Sequence, residues 1–218
     1  MQIGLKLSIE SKREMAYTHW KDIEQVERYA EKRYRSWDQR WLNKREQKIV
    51  TTLFKDYQLC GTILDIPVGY GRFLPILREF GTVYAADWGF MPLVYQERKL
   101  GIAYGSVNGI AQFLPFKSQS IDVVFCFRLF QHMHEQEERI AILQEFKRVS
   151  RNWIVVSIYI KNPLHILHRA VAKKPSRITM LTRGDFKGEV SMSGLKIMQK
   201  QAVVPGFHAH NIYLISTK

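Results

Sequence analysis

The spacing of apolar positions changes along the chain. Between residues 17 and 57 they recur at helical intervals, first Trp20, Ile23, Val26 and Tyr29, then Trp37, Trp41, Ile49 and Leu53. This spacing predicts two helices with a break near 36–38. Beyond residue 60, short apolar runs alternate with helical stretches. Strands are predicted at 62–66, 83–86, 102–105, 121–127, 153–159, 195–203 and 210–216. Helices are predicted at 73–80, 91–100, 135–150 and 184–193, with a loop at 111–116. Strands that alternate with helices predict an α/β fold: a doubly wound, mostly parallel sheet with helices on both faces. The last two strands, joined by a short loop, predict an antiparallel C-terminal hairpin.

The first strand and the turn after it carry the most chemistry. Ile63 to Phe73 reads Ile-Leu-Asp-Ile-Pro-Val-Gly-Tyr-Gly-Arg-Phe. Two glycines spaced one apart, Gly69 and Gly71, let a ligand approach the backbone between strand and helix. The second strand ends in Asp87, where an α/β fold of this kind receives ribose hydroxyls. A dinucleotide fingerprint would put glycine at the sixth position, but here it is Leu74. Asp65 inside the turn would repel a pyrophosphate and suits a cationic ligand with an amino group.

Length and charge narrow the picture. The 218 residues, nearly half of them apolar, suit one globular domain with a full core. Within it, 1–57 forms a helical cap, 58–160 the core, 161–183 a basic insertion and 184–218 the closing helix and hairpin. The net charge of +13 is uneven. Residues 1–50 hold 12 basic and 8 acidic side chains, 51–150 hold 10 of each, and 151–218 hold 11 basic and 2 acidic. The core is neutral and the excess lies at the two ends, which bears on partners and not on fold. Cys60 and Cys126 lie in or beside apolar segments. They read as reduced core residues, which sets the expected location in the cytoplasm. No apolar run approaches the length of a membrane span.

The motif series resembles the class I S-adenosylmethionine (SAM)-dependent methyltransferases, and among them the methyltransferase type 11 group. The matching segments run in order from Leu64-Asp65-Ile66-Pro67-Val68-Gly69-Tyr70-Gly71-Arg72-Phe73 to Asp87 and Ala111-Gln112-Phe113-Leu114-Pro115-Phe116. Ile121-Asp122-Val123-Val124, Leu129-Phe130-Gln131-His132-Met133 and Leu143-Gln144-Glu145-Phe146-Lys147-Arg148-Val149 complete them. The resemblance implies a Rossmann-like fold and SAM as cofactor. It assigns cofactor binding to Asp65, Pro67, Gly69, Gly71, Arg72, Asp87, Trp88, Ile110, Ala111, Phe127 and Arg128. The chain departs from the group at three points. Pro67 replaces the first of three glycines. Ile110 stands where an aspartate usually accepts the adenine amino group, a contact that is lost or made by backbone or by Asn108. Arg151-Asn152-Trp153 replaces a Pro-Gly-Gly turn.

Methyl transfer from a sulfonium is an in-line displacement with an activated leaving group, so positioning supplies most of the catalysis. A general base is needed only if the acceptor must lose a proton. His132 and His134 are the candidates for that role. His208 and His210 flank the last hairpin loop, read as a surface turn. No thiolate or helically paired ligand accompanies these histidines, so no metal site is expected. The segment 161–183 interleaves Leu164, Ile166, Leu167, Ala170 and Val171 with Arg169, Lys173, Lys174 and Arg177. It reads as a helical lid or as a basic amphipathic helix for a membrane surface or an acidic substrate. The leading expectation is methyl transfer to a small-molecule acceptor, anionic or lipid-linked. A second reading is an RNA methyltransferase, on the strength of the charge and of Tyr34, Trp37 and Trp41. A third is a non-catalytic binding module that keeps the fold, which Ile110 supports.

Overall fold

A computed structural model describes residues 20–162 and 178–218. The helical cap comprises α1 (Ile23–Arg33) and α2 (Trp37–Asp56). Asp22 starts α1 by accepting the backbone N–H of Gln25 at 2.8 Å. The strands are β1 (Gly61–Asp65), β2 (Gly81–Asp87), β3 (Gly105–Asn108), β4 (Ile121–Cys126), β5 (Ser150–Tyr159), β6 (Lys196–Ala202) and β7 (His210–Ser216). Between them lie α3 (Leu74–Leu77), α4 (Phe90–Lys99), α5 (Gln136–Val149) and α6 (Arg183–Met192). The sheet has seven strands in the order β3-β2-β1-β4-β5-β7-β6. All pairings up to β4–β5 are parallel, and β7 runs antiparallel to both β5 and β6.

Alternation along the strands divides the core into two layers. Ile63, Val83, Val123 and Val155 face Val50, Leu53 and Phe54 of α2. Leu64, Val124, Ile154 and Val156 face Ile142, Leu143 and Phe146 of α5. Chain order reverses between β1 and β4, neighbours on which α/β folds open a ligand crevice at their carboxyl ends.

Three sequence expectations shift. The third strand lies at Gly105–Asn108 instead of 102–105. Ile102 and Ala103 pack on the core as loop residues, while the ladder with β2 begins at Tyr84 opposite Gly105. The helix expected at 73–80 shrinks to four residues, because the chain must return to Gly81 to pair with Gly61. Cys60 is exposed, so only Cys126 is a core thiol. Leu164, Ile166, Leu167, Ala170, Val171, Arg169, Lys173, Lys174 and Arg177, expected in a lid or amphipathic helix, lie outside the described residues. No described helix is long and apolar enough to cross a membrane.

Candidate active site

The β1–α3 turn is held open from both sides. The Val68 N–H donates to the Ala86 carbonyl at 2.9 Å, and the Gly69 N–H donates to Asp87 Oδ2 at 2.9 Å. The other Asp87 oxygen accepts the Gly89 N–H at 2.8 Å. Asp87 thus ties the first glycine turn to the one after β2. Gly69 and Gly71 have φ of 54° and 78°, a region that a side chain strains. Their surroundings differ. A Cβ on Gly69 would meet nothing within 4 Å, whereas one on Gly71 would sit 2.6 Å from Leu100 Cδ1. The first glycine therefore borders open space and the second is packed.

That space is a cavity of about 410 Å³ at the carboxyl ends of β1, β2 and β4. One part of its wall is acidic, formed by Asp65 and Asp87. Asp65 is buried, and among the described residues no hydrogen bond reaches its carboxylate. Burial and the neighbouring Asp87 charge push the Asp65 carboxyl well above the usual range, against the pull of Arg72. Burial raises Asp87 to about 6, although the amides of Gly69 and Gly89 draw it down. Two buried carboxyls, one without a donor, fit a ligand that brings a cation and hydroxyl donors. The ammonium and ribose of SAM match that requirement.

The rest of the wall is cationic and aromatic. Trp20, Tyr29, Arg33 and Tyr34 come from the cap, Tyr70, Arg72 and Phe73 from the first turn, and Phe127 and Arg128 from the end of β4. Tyr29 meets Tyr70 edge-on at 6.0 Å, and Glu27 pairs with Lys99 of α4 at 2.7 Å, so α1 is fastened over the cavity. The Arg72 guanidinium lies 4.3 Å from the Phe73 ring centroid and 5.0 Å from that of Phe127. It also donates to Asn43 Oδ1 at 2.7 Å and to the Tyr34 hydroxyl.

Glu46 of α2 organises these groups. It is fully buried, and it accepts from Arg72 Nη1 at 2.7 Å, Arg128 Nη2 at 2.7 Å and His210 Nδ1 at 2.9 Å. Burial would raise its pKa, but the His210 hydrogen bond and the charges of Arg128 and Arg72 hold it well below the carboxylate range. His210 is lowered, because burial outweighs its Glu46 partner. The four groups are thus an ionised carboxylate, two guanidiniums and a neutral imidazole. Arg72 Nη2, Arg128 Nε and His210 Nε2 are buried with no hydrogen-bond partner among the described residues. Arg128 has a left-handed φ of 64°, and its N–H donates to Ser157 Oγ at 2.7 Å.

Of the sequence-predicted residues, Asp65, Pro67, Gly69, Arg72, Asp87, Phe127, Arg128 and His132 line this cavity together. Gly71 shapes the turn behind it. Trp88, Ile110, Ala111 and His134 lie outside the lining. Ile110 bridges to Phe113, and Asn108 Nδ2 is bound to the carbonyls of Asp87 and Trp88 at 3.0 and 2.7 Å. His132 Nε2 lies 3.0 Å from Gln131 Nε2, and His134 Nδ1 lies 2.8 Å from Thr179 Oγ1. His210 corrects the surface-turn reading. It is fully buried at the start of β7, stacked on Tyr159 at 4.8 Å. Glu46 and Arg33 escaped sequence reasoning, and Tyr34 was singled out only for the RNA reading. The one available signal was that Glu46 sits on the apolar stripe Leu42, Val50, Leu53 and Phe54 of α2, an unusual place for a carboxylate.

Residues 64–153 match the family model described as "Methyltransferase domain". Solved structures share the fold. A magnesium protoporphyrin IX methyltransferase from Synechocystis with bound S-adenosylhomocysteine (SAH) is 19% identical, with a TM-score of 0.68 over 83% of this chain and 87% of that one. A SAM-dependent methyltransferase from Clostridium acetobutylicum is 10% identical, with a TM-score of 0.65 over 79% and 91%. One from Aquifex aeolicus is 20% identical, with a TM-score of 0.57 over 75% and 87%. No curated protein matches the sequence. The sheet order is that of the Rossmann-like class I methyltransferase fold, and the matched core carries the glycine turn. The matched domain indicates SAM-dependent methyl transfer.

Proposed function

We propose that this enzyme methylates a small anionic molecule in the cytoplasm. The observation that carries the reading is the split wall of the cavity, with Asp65 and Asp87 in one part and Arg33, Arg72 and Arg128 in another. SAM supplies a methyl group already activated on a sulfonium. Asp65 holds its ammonium, Asp87 its ribose hydroxyls, and the open face of Gly69 lets it lie against the backbone. Its single carboxylate occupies one guanidinium. Glu46 neutralises a second, and a third cation is left over for the acceptor. An anionic acceptor supplies the counter-charge for that remaining cation. The aromatic wall of Trp20, Tyr29 and Tyr34 favours a flat or apolar body beside it.

His132, which borders the cavity, is the candidate base for an acceptor that must lose a proton, and His134 is the weaker candidate because it lies outside the lining. The Synechocystis neighbour is a methyltransferase of magnesium protoporphyrin IX, and its likeness to this chain is one of fold. Calorimetry with SAM and SAH tests the cofactor, and absence of heat at millimolar ligand would sink the reading. Labelled SAM incubated with metabolite extracts split by ion exchange tests the acceptor. Label is expected in the anion-exchange fraction, and label confined to the cationic fraction or to added RNA would overturn the small-anion assignment.

A further inference from the structure

We propose that the corner of the cap at the α1–α2 junction docks on an anionic phospholipid surface and holds the cavity mouth against it. Trp37 is 78% exposed and Trp41 is 51% exposed. Four residues apart on α2, they form one ridge. Phe207, in the loop before β7, is 73% exposed. Arg45 connects the two places, because its guanidinium lies 5.8 Å from the Trp41 ring centroid and donates to the Val203 carbonyl. Tryptophan side chains left in water cost free energy that a headgroup boundary would recover.

The charge around the ridge is matched to such a boundary. Residues 32–45 carry six basic side chains and one acid, Asp38. Lys32, Arg35, Arg40 and Lys44 are exposed around the tryptophans. Cations flanking amphipathic aromatics are the combination that binds anionic lipid. The same stretch supplies Arg33 and Tyr34 to the cavity wall, so the docked face adjoins the site.

Other occupants fit less well. A single-stranded nucleic acid stacks its bases along a basic groove, whereas Trp37 and Trp41 stand on the convex face of a helix. A symmetric dimer through this face would oppose two copies of the same cationic cluster.

The test uses the full chain with vesicles of phosphatidylcholine and of equimolar phosphatidylcholine and phosphatidylglycerol. Co-sedimentation and a blue shift of tryptophan emission are expected with the anionic vesicles alone. Trp37→Ala with Trp41→Ala should weaken this binding roughly tenfold by loss of buried apolar area. Arg40→Ala with Lys44→Ala should weaken it about thirtyfold, at about fivefold for each cation near the surface. Both pairs are exposed, so unchanged melting and SAH affinity will show that the fold and site survive. The proposal is overturned if wild type ignores anionic vesicles or if the variants bind them as well as wild type. It is equally overturned if these residues instead serve RNA binding or a dimer seen by sedimentation.

Discussion

Glu46 Oε1 lies 2.7 Å from Arg128 Nη2 and joins the second cap helix to the end of strand β4. Through Arg72 and His210 the same carboxylate reaches the glycine turn and the last strand. It carries the only negative charge among these buried groups, so its loss strands two guanidiniums away from water. Glu46→Ala should destabilise the protein by about 3–5 kcal/mol in urea melts. Glu46→Gln keeps the shape and should cost less. In the glutamine variant the KM for SAM should also rise, because Arg72 loses its anchor beside the turn. An unchanged melt for Glu46→Ala would show that the network adds nothing to stability.

Arg128 combines a side-chain role with a backbone conformation that suits glycine, at φ 64°. The two can be separated. Arg128→Ala and Arg128→Gly both remove the guanidinium, but only alanine retains the left-handed strain. The glycine variant should be more stable than the alanine variant by about 1 kcal/mol. Both should bind SAH more weakly than wild type. Equal stability of the two would mean that the backbone there relaxes without cost.

The two glycines of the turn should fail in different ways. A methyl on Gly71 runs into Leu100 and Leu74, at 2.6 and 2.9 Å, so Gly71→Ala should lower the melting temperature whether or not cofactor is present. A methyl on Gly69 enters open space, so Gly69→Ala should cost about 1 kcal/mol of backbone strain. Its larger effect should fall on SAH affinity by calorimetry. A Gly69→Ala protein with wild-type affinity would remove the turn from the cofactor site.

These contrasts mark what the sequence could reveal. Alternating apolar runs placed β1, β2, β4, β5 and β7 because central strands bury both faces and leave an uninterrupted signal. The edge strand β3 only half-buries alternate residues, and Ile102 and Ala103 offered a stronger apolar pair just before it. Asp65, Gly69 and Asp87 were legible because they lie within one short βαβ unit. Glu46, Arg33 and Tyr34 were not, since they join the site from the cap across a long stretch of chain. His210 pairs with Glu46 across 164 residues, a separation that local spacing cannot encode. Ile110 and Ala111 were assigned by position in the motif, yet they lie outside the cavity lining.

Asp65 and Asp87 should make stability and cofactor binding respond oppositely to pH. Folding raises Asp87 from about 3.8 to about 6 and raises Asp65 well above its ordinary value. A carboxyl with a raised pKa is held protonated by the folded chain. Between about 4 and 6 the folded state then binds more protons than the unfolded one, and the contribution to stability falls as pH rises through that window. SAH reverses the preference, because its ammonium and ribose hydroxyls are held best by ionised carboxylates. Its binding should therefore release protons and strengthen with pH, by up to about tenfold per unit for each proton released below the folded pKa. The rise in melting temperature caused by a fixed excess of SAH should grow between about pH 5 and 7.5. Calorimetry in buffers of different ionisation enthalpy counts the protons directly. Asp87→Asn should remove the step near pH 6 and leave only the dependence set by Asp65. SAH affinity that stays flat across this range, with no proton release, would mean that the two carboxyls are already ionised in the free protein and that burial does not govern the site.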